Sequence, residues 1–147
     1  MVTQLGYLFK TFLNSQLLFT HIYGSGDGNP NDGKHQTFDG IFSGADTDMY
    51  SWMNFSKTIS FRSEYHAFFL DRRSDAWYFP GKAMRHDPQG LSGNFAGQEA
   101  DFIFRAKLFP WVQFLGGYCI FMPGEFAKNT RSCPIARWAF AELTFTF

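Results

Sequence analysis

Eight charged or titratable side chains are spaced as one face of a strand would space them. Arg62, Glu64 and His66 form one run, Glu99, Asp101, Arg105 and Lys107 a second, and Glu142 stands near the end. Steps of two put successive members on the same side of an extended chain. Around a water-filled path, such fixed charges set ion preference electrostatically. Facing bulk water, they are only solvated. Three are basic and four acidic, with His66 neutral, so the set predicts no preference for anions.

Other residues offer other chemistry. Asp27-Gly28-Asn29-Pro30-Asn31-Asp32-Gly33 presents oxygen ligands at alternate positions, as calcium loops do. The match is off by one. Asp32 stands where the glycine belongs, and the twelfth position is Phe38, with Asp39 one further on. Asp27, Asn29, Asn31 and Asp32 are therefore weak calcium candidates, and Asx-turns with Pro30 account equally for the composition. Trp77-Tyr78-Phe79 could stack on the apolar face of a sugar, or anchor its loop at a rim. Catalysis finds little support. A Ser–His pair must share a face, whereas Ser63 and His66 alternate to opposite sides of their strand. His21, His35 and His86 sit in separate segments, and no zinc spacing or phosphate loop is present. No cofactor is implied.

The elements that must position these residues are strands. The last ten residues put Phe147, Phe145, Leu143, Ala141 and Ala139 on one face and Thr146, Thr144, Glu142, Phe140 and Trp138 on the other. Gln98–Lys107 alternates the same way, with Ala100, Phe102, Phe104 and Ala106 opposite the charges. In Ile59–Leu70, Ile59, Phe61, Tyr65, Ala67 and Phe69 oppose Arg62, Glu64 and His66. Four further strands are predicted at Gln4–Phe9, Gln16–Tyr23, Asp48–Phe55 and Trp111–Phe121, about seven in all. Their connections alternate short, long, short, long, short, long. An antiparallel up-and-down meander gives this pattern when one rim is tight and the other extended, the layout of outer-membrane barrels. Soluble sandwiches share the alternating faces but not the alternating connections. In the barrel, hydrocarbon covers the Phe and Leu faces.

Composition narrows the classes. The chain has 147 residues, with 13 basic and 13 acidic side chains, so no net positive charge points to a nucleic-acid partner. Twenty phenylalanines and 20% aromatics suit strands and interfacial girdles. No apolar run approaches the ~20 residues of a membrane helix. The first residues show no export signal. Cys119 and Cys133 could pair in an oxidising compartment, but two cysteines define no framework.

Tyr23-Gly24-Ser25-Gly26-Asp27-Gly28-Asn29-Pro30-Asn31-Asp32-Gly33-Lys34, then Thr37-Phe38-Asp39 and Tyr50-Ser51-Trp52-Met53-Asn54, resemble the alginate-export family of outer-membrane barrels. Leu115-Gly116-Gly117-Tyr118, Phe121-Met122-Pro123-Gly124-Glu125-Phe126 and the aromatic-tipped last strand are similar too. The resemblance implies a large antiparallel barrel through the bacterial outer membrane, of which this chain is a C-terminal portion and a single barrel segment. Between Asn54 and Tyr65 the chain looks shortened against the family pattern. Seven strands fall below the ~8 of the smallest closed bacterial barrels, so a partial or open barrel is the expectation. The implied function is a porin-like channel for hydrophilic solutes, extending to export of an anionic polysaccharide such as alginate. The implied partners are outer-membrane lipid and, through the Phe147 strand, the barrel-assembly machinery. The other class left open by the residues is a soluble β-sheet carbohydrate-binding module using the Trp77–Phe79 loop and a calcium loop.

Overall fold

The computed structural model describes residues 1–29, 32, 34, 45–78 and 83–147. Its long strands are β1 (Val2–Phe9), β2 (Ser15–Tyr23), β3 (Ala45–Asn54), β4 (Ile59–Phe69), β7 (Phe95–Phe109), β8 (Val112–Pro123) and β9 (Ala136–Phe145). They form one antiparallel sheet in the order β1-β2-β3-β4-β7-β8-β9, with β1 and β9 at its open edges. The fold is thus an all-β up-and-down meander that does not close on itself, the open form of the expected barrel. Strands two to six of this sheet run 9 to 15 residues, and ~9–11 tilted residues cross a bilayer core.

Tight turns join β1 to β2, β3 to β4 and β7 to β8. In the first, Leu13 and Asn14 both adopt left-handed backbone, at φ 49° and 44°. Such primed geometry matches strand twist in a tight hairpin. Asparagine tolerates it well, whereas leucine does so at a steric cost. In the second turn the Ser56 hydroxyl accepts the Thr58 and Ile59 amides at 3.1 and 3.0 Å. Pairing then runs unbroken from Asn54↔Ser60 to Ala45↔Phe69, so β3 and β4 make one continuous hairpin.

The long connections contain structure that strand periodicity does not reveal. The second carries a small hairpin, β5 (Ala76–Tyr78) with β6 (Ala83–His86). The third carries helix α1 (Glu125–Thr130). Strands of three and four residues and a helix of six are too short to show a hydrophobic period, which needs a window of about 11 residues or more. Leu70, Ala96 and Phe126, with Phe68 and Trp77 packed against them, form the core cluster at this rim. Phe126 is completely buried. Arg85 Nη1 donates to the carbonyls of Ala127 (2.7 Å) and Arg131 (3.0 Å), tying the hairpin to the end of the helix.

The broad face of the sheet, in contrast, is bare. Leu5, Tyr7, Leu17, Phe19, Met49, Phe102, Phe104, Tyr118, Leu143 and Phe145 share one face by register and are all exposed. A compact soluble monomer of this mass exposes about 7,700 Å². This chain exposes 9732 Å². Soluble monomers rarely leave apolar patches above a few hundred Å² uncovered, and this one spans seven strands. No facing sheet interlocks with these rings among the described residues.

Candidate functional site

Register assembles the charged residues on the opposite face. Across β3, β4 and β7, Asp48 pairs with His66 and His66 with Glu99; one row along, Tyr50 pairs with Glu64 and Glu64 with Asp101. Cys119 of β8 follows Asp101 in that row. The result is a compact polar patch in the middle of the sheet.

His66 is its hub. Its Nδ1 lies 2.7 Å from Asp48 Oδ1, and Asp48 is buried. Its Nε2 faces Glu64 Oε2 at 3.3 Å and Asp101 Oδ2 at 3.6 Å. Glu64 Oε1 is ion-paired to Arg62 Nε. That nitrogen is buried and makes no hydrogen bond, and Asp101 Oδ1 is likewise buried without a hydrogen-bond partner. The Tyr50 hydroxyl donates to Asp48 Oδ2 at 3.3 Å, and its ring meets His66 edge-on at 5.6 Å. Phe68 stacks on the imidazole from the other side, at 6.0 Å. The histidine is therefore fixed by packing on two sides and by a buried carboxylate behind it.

Of the eight charged residues singled out from the sequence, five lie in this patch: Arg62, Glu64, His66, Glu99 and Asp101. The other three share the face but not the cluster. Arg105 aligns through Leu115 with Glu142, and Lys107 pairs with Gln113 nearer the tight-turn rim. Arg105, Lys107 and Glu142 are exposed. Glu142 Oε1 accepts the Thr144 hydroxyl at 2.9 Å. Alternation within one strand could not point to Asp48, Tyr50 and Cys119 as members of the patch, because their partners come from other strands. The Asp48-Tyr50-Trp52 period was the available signal.

The rim elements bear on the same face. Trp77 of β5 packs 6.1 Å from Phe121 and against the Leu70–Ala96–Phe126 cluster, and Phe121 pairs across the ladder with Glu99. The hairpin is thus folded over the polar side of the sheet at its long-loop end. Trp77 is held in the rim core. Tyr78 belongs to the same short strand, and Phe79 lies outside the described residues.

The loop after β2 has the Asx-turn form. Asp27 Oδ1 accepts the Asn29 amide at 2.9 Å, and Asp32 Oδ1 accepts the Lys34 amide at 2.8 Å. Asp75 Oδ2 in turn accepts the Asp27 amide at 3.0 Å, and Asp71 Oδ2 the Gly26 amide at 2.9 Å. These carboxylates shape backbone. Asn31 lies outside the described residues. Among the described residues, the groups whose geometry could hold a metal ion are Glu64–His66–Asp101 and Glu99–Asp101–Cys119. Both lie in the polar patch and not in the loop.

Cys119 is buried and Cys133 partly exposed, and both are free thiols. The pairing considered from the sequence is not formed. Cys119 belongs to the ladder of β8, whereas Cys133 lies beyond the helix.

Comparison with curated proteins and with solved structures gives no match. A family model described as alginate export matches residues 1–137. That span covers nearly all of the strand system and the rim that folds over it. The chain belongs to the alginate export family.

Proposed function

We propose that this chain is a wall segment of an outer-membrane channel that passes hydrophilic solutes, with an anionic polysaccharide such as alginate as the cargo its family suggests. The carrying observation is the contrast between the two faces of one sheet. One presents exposed Leu, Phe, Tyr and Met side chains over its whole width. The other holds a half-buried ionisable patch, with Asp48 its buried carboxylate, and a hairpin folded over its end. A bilayer on the first side and an aqueous lumen on the second satisfy both.

The chain in this reading is one segment of a wider barrel. Seven antiparallel strands leave β1 and β9 pointing the same way, so closing them on each other would make a parallel seam. In hydrocarbon every strand edge must be paired. Further strands therefore complete the wall, and the β9 edge is the surface offered to the assembly machinery. The face charges, Arg62, Arg105 and Lys107 against Asp48, Glu64, Glu99, Asp101 and Glu142, set solute preference as lumen-lining groups. They do not by themselves favour an anion.

The test is reconstitution. The chain is expected to partition into micelles or liposomes, and bilayers carrying it with the strands that complete the wall are expected to pass currents reduced by uronate oligomers. A monodisperse monomer of the same β content in detergent-free buffer would contradict the reading. Insertion with complete strands but without current would leave a membrane protein that is not a channel. The soluble carbohydrate-binding alternative would have to use Trp77 where it is half-buried against the rim core.

A further inference from the structure

We propose that Glu64, His66 and Asp101 form a binding site for a divalent cation of the zinc type, with Asp48 as the residue that positions the imidazole. The geometry is specific. Zinc bonds of 2.0–2.2 Å at tetrahedral angles put neighbouring nitrogen and oxygen ligands about 3.3–3.6 Å apart. His66 Nε2 stands 3.3 Å from Glu64 Oε2 and 3.6 Å from Asp101 Oδ2. One ligand atom from each of the three residues lies within 4.8 Å of the others.

Three further observations point the same way. The other imidazole nitrogen, Nδ1, lies 2.7 Å from a buried carboxylate. With the ring proton on Nδ1 facing Asp48, Nε2 turns its lone pair to the site, and a cation there would replace the present Nε2–Glu64 contact of 3.3 Å. Metal-binding histidines almost always pass their other ring N–H to a carboxylate, a backbone carbonyl or water. Glu64 is divided between two tasks, with Oε1 on Arg62 and Oε2 turned to the site. Asp101 Oδ1 is buried without a hydrogen-bond partner. A buried carboxylate oxygen is costly without a partner. A cation can supply one, and the groups that compete for Asp101 are the Glu99 carboxyl and the Cys119 thiol. Asp48, Glu64, Glu99 and Asp101 stand together, and the ion pairs described for them come from Arg62 and His66 alone.

Three protein ligands leave a fourth position for water or for an oxygen of a passing solute. A bound divalent ion would offset two of the four carboxylates. It would thereby turn the most acidic part of this face into a place where an anionic group can dock. This inference rests on the patch and not on the channel reading; the two fail in different experiments.

The test is calorimetric titration of the full chain in detergent micelles with Zn²⁺, at excess Mg²⁺. One equivalent is expected to bind, and the melting temperature to rise with Zn²⁺ concentration. Asp48→Asn keeps all three ligands and should weaken binding by about 10–100-fold, the range for an outer-shell partner. It should leave the Co²⁺ absorption spectrum unchanged in shape. His66→Ala should lose more than that. Glu64→Gln and Asp101→Asn, close to isosteric, should each weaken binding and serve if His66→Ala does not fold. Cys119→Ser should bind as the parent does. No saturable binding, or binding unchanged in Glu64→Gln and Asp101→Asn, would overturn the site. So would a thiolate-to-cobalt charge-transfer band, which would move the ion to Cys119.

Discussion

At the residue scale, what decides behaviour is which atoms each side chain can reach. Asp87, in the connection from β6 to β7, accepts the Ser92 amide at 2.7 Å and the Gln89 amide at 3.1 Å. Hydrogen bonding from Ser92, its hydroxyl foremost, holds the Asp87 carboxyl below the usual carboxylate range, with backbone amides adding to it and burial opposing it. A depressed folded value means stabilisation that is complete above the unfolded pKa, about 3.9, and lost as pH falls through the folded value. Exchange protection of the Gln89 and Ser92 amides, corrected for intrinsic rates, should fade in that acid window. In Asp87→Asn that pH dependence should be absent. Gly117 gives a second prediction. A Cβ there would meet the ring of its cross-strand partner Phe140, which covers the glycine. Gly117→Val should displace that ring and destabilise by about 1–3 kcal/mol, the range for overpacking, measured as a lowered urea midpoint in micelles. The charged alternation of β4 and β7 was legible from residue order. The His66 hub was not, since Asp48 and Asp101 reach it from 18 and 35 positions away and only the register brings them there.

At the element scale, the tight-turn rim was legible because its connections are short and its strands long. The other rim was not. The β5–β6 hairpin and α1 are stabilised by what they dock onto and not by their own periodicity, so their sequences carry little signal. Trp77 ties the hairpin to Phe121 and to the Leu70–Ala96–Phe126 cluster, and Arg85 ties it to the carbonyls ending α1. Trp77→Ala should destabilise the rim by about 1–3 kcal/mol, below the 3–5 of a fully buried aromatic, since the ring is half-buried. Limited proteolysis should then cut first between β4 and β7, with the seven-strand sheet intact. Arg85→Ala should have the same signature, at about 1.5–3 kcal/mol for hydrogen bonds from a charged donor.

At the scale of the whole molecule, the account turns on a sheet that buries neither of its broad faces against protein in the usual way. Among the described residues, its buried apolar side chains are few and mostly small, with Phe126 and Leu70 large ones at the rim. The solvent that covers the Phe and Leu face is therefore the central question. The decisive measurement is spin-label accessibility along β7 of the membrane-reconstituted chain, one label at a time from Ala100 to Lys107 in a background lacking both native cysteines. The account predicts a period-two pattern: labels at Phe102 and Phe104 are reached by oxygen from the lipid, and labels at Ile103 and Arg105 by a water-soluble nickel complex. In parallel, Phe102→Arg should cost about 2–4 kcal/mol near the bilayer midplane. Equal access of the nickel complex to both faces of β7, in a chain that is folded and bound to the membrane, would contradict it.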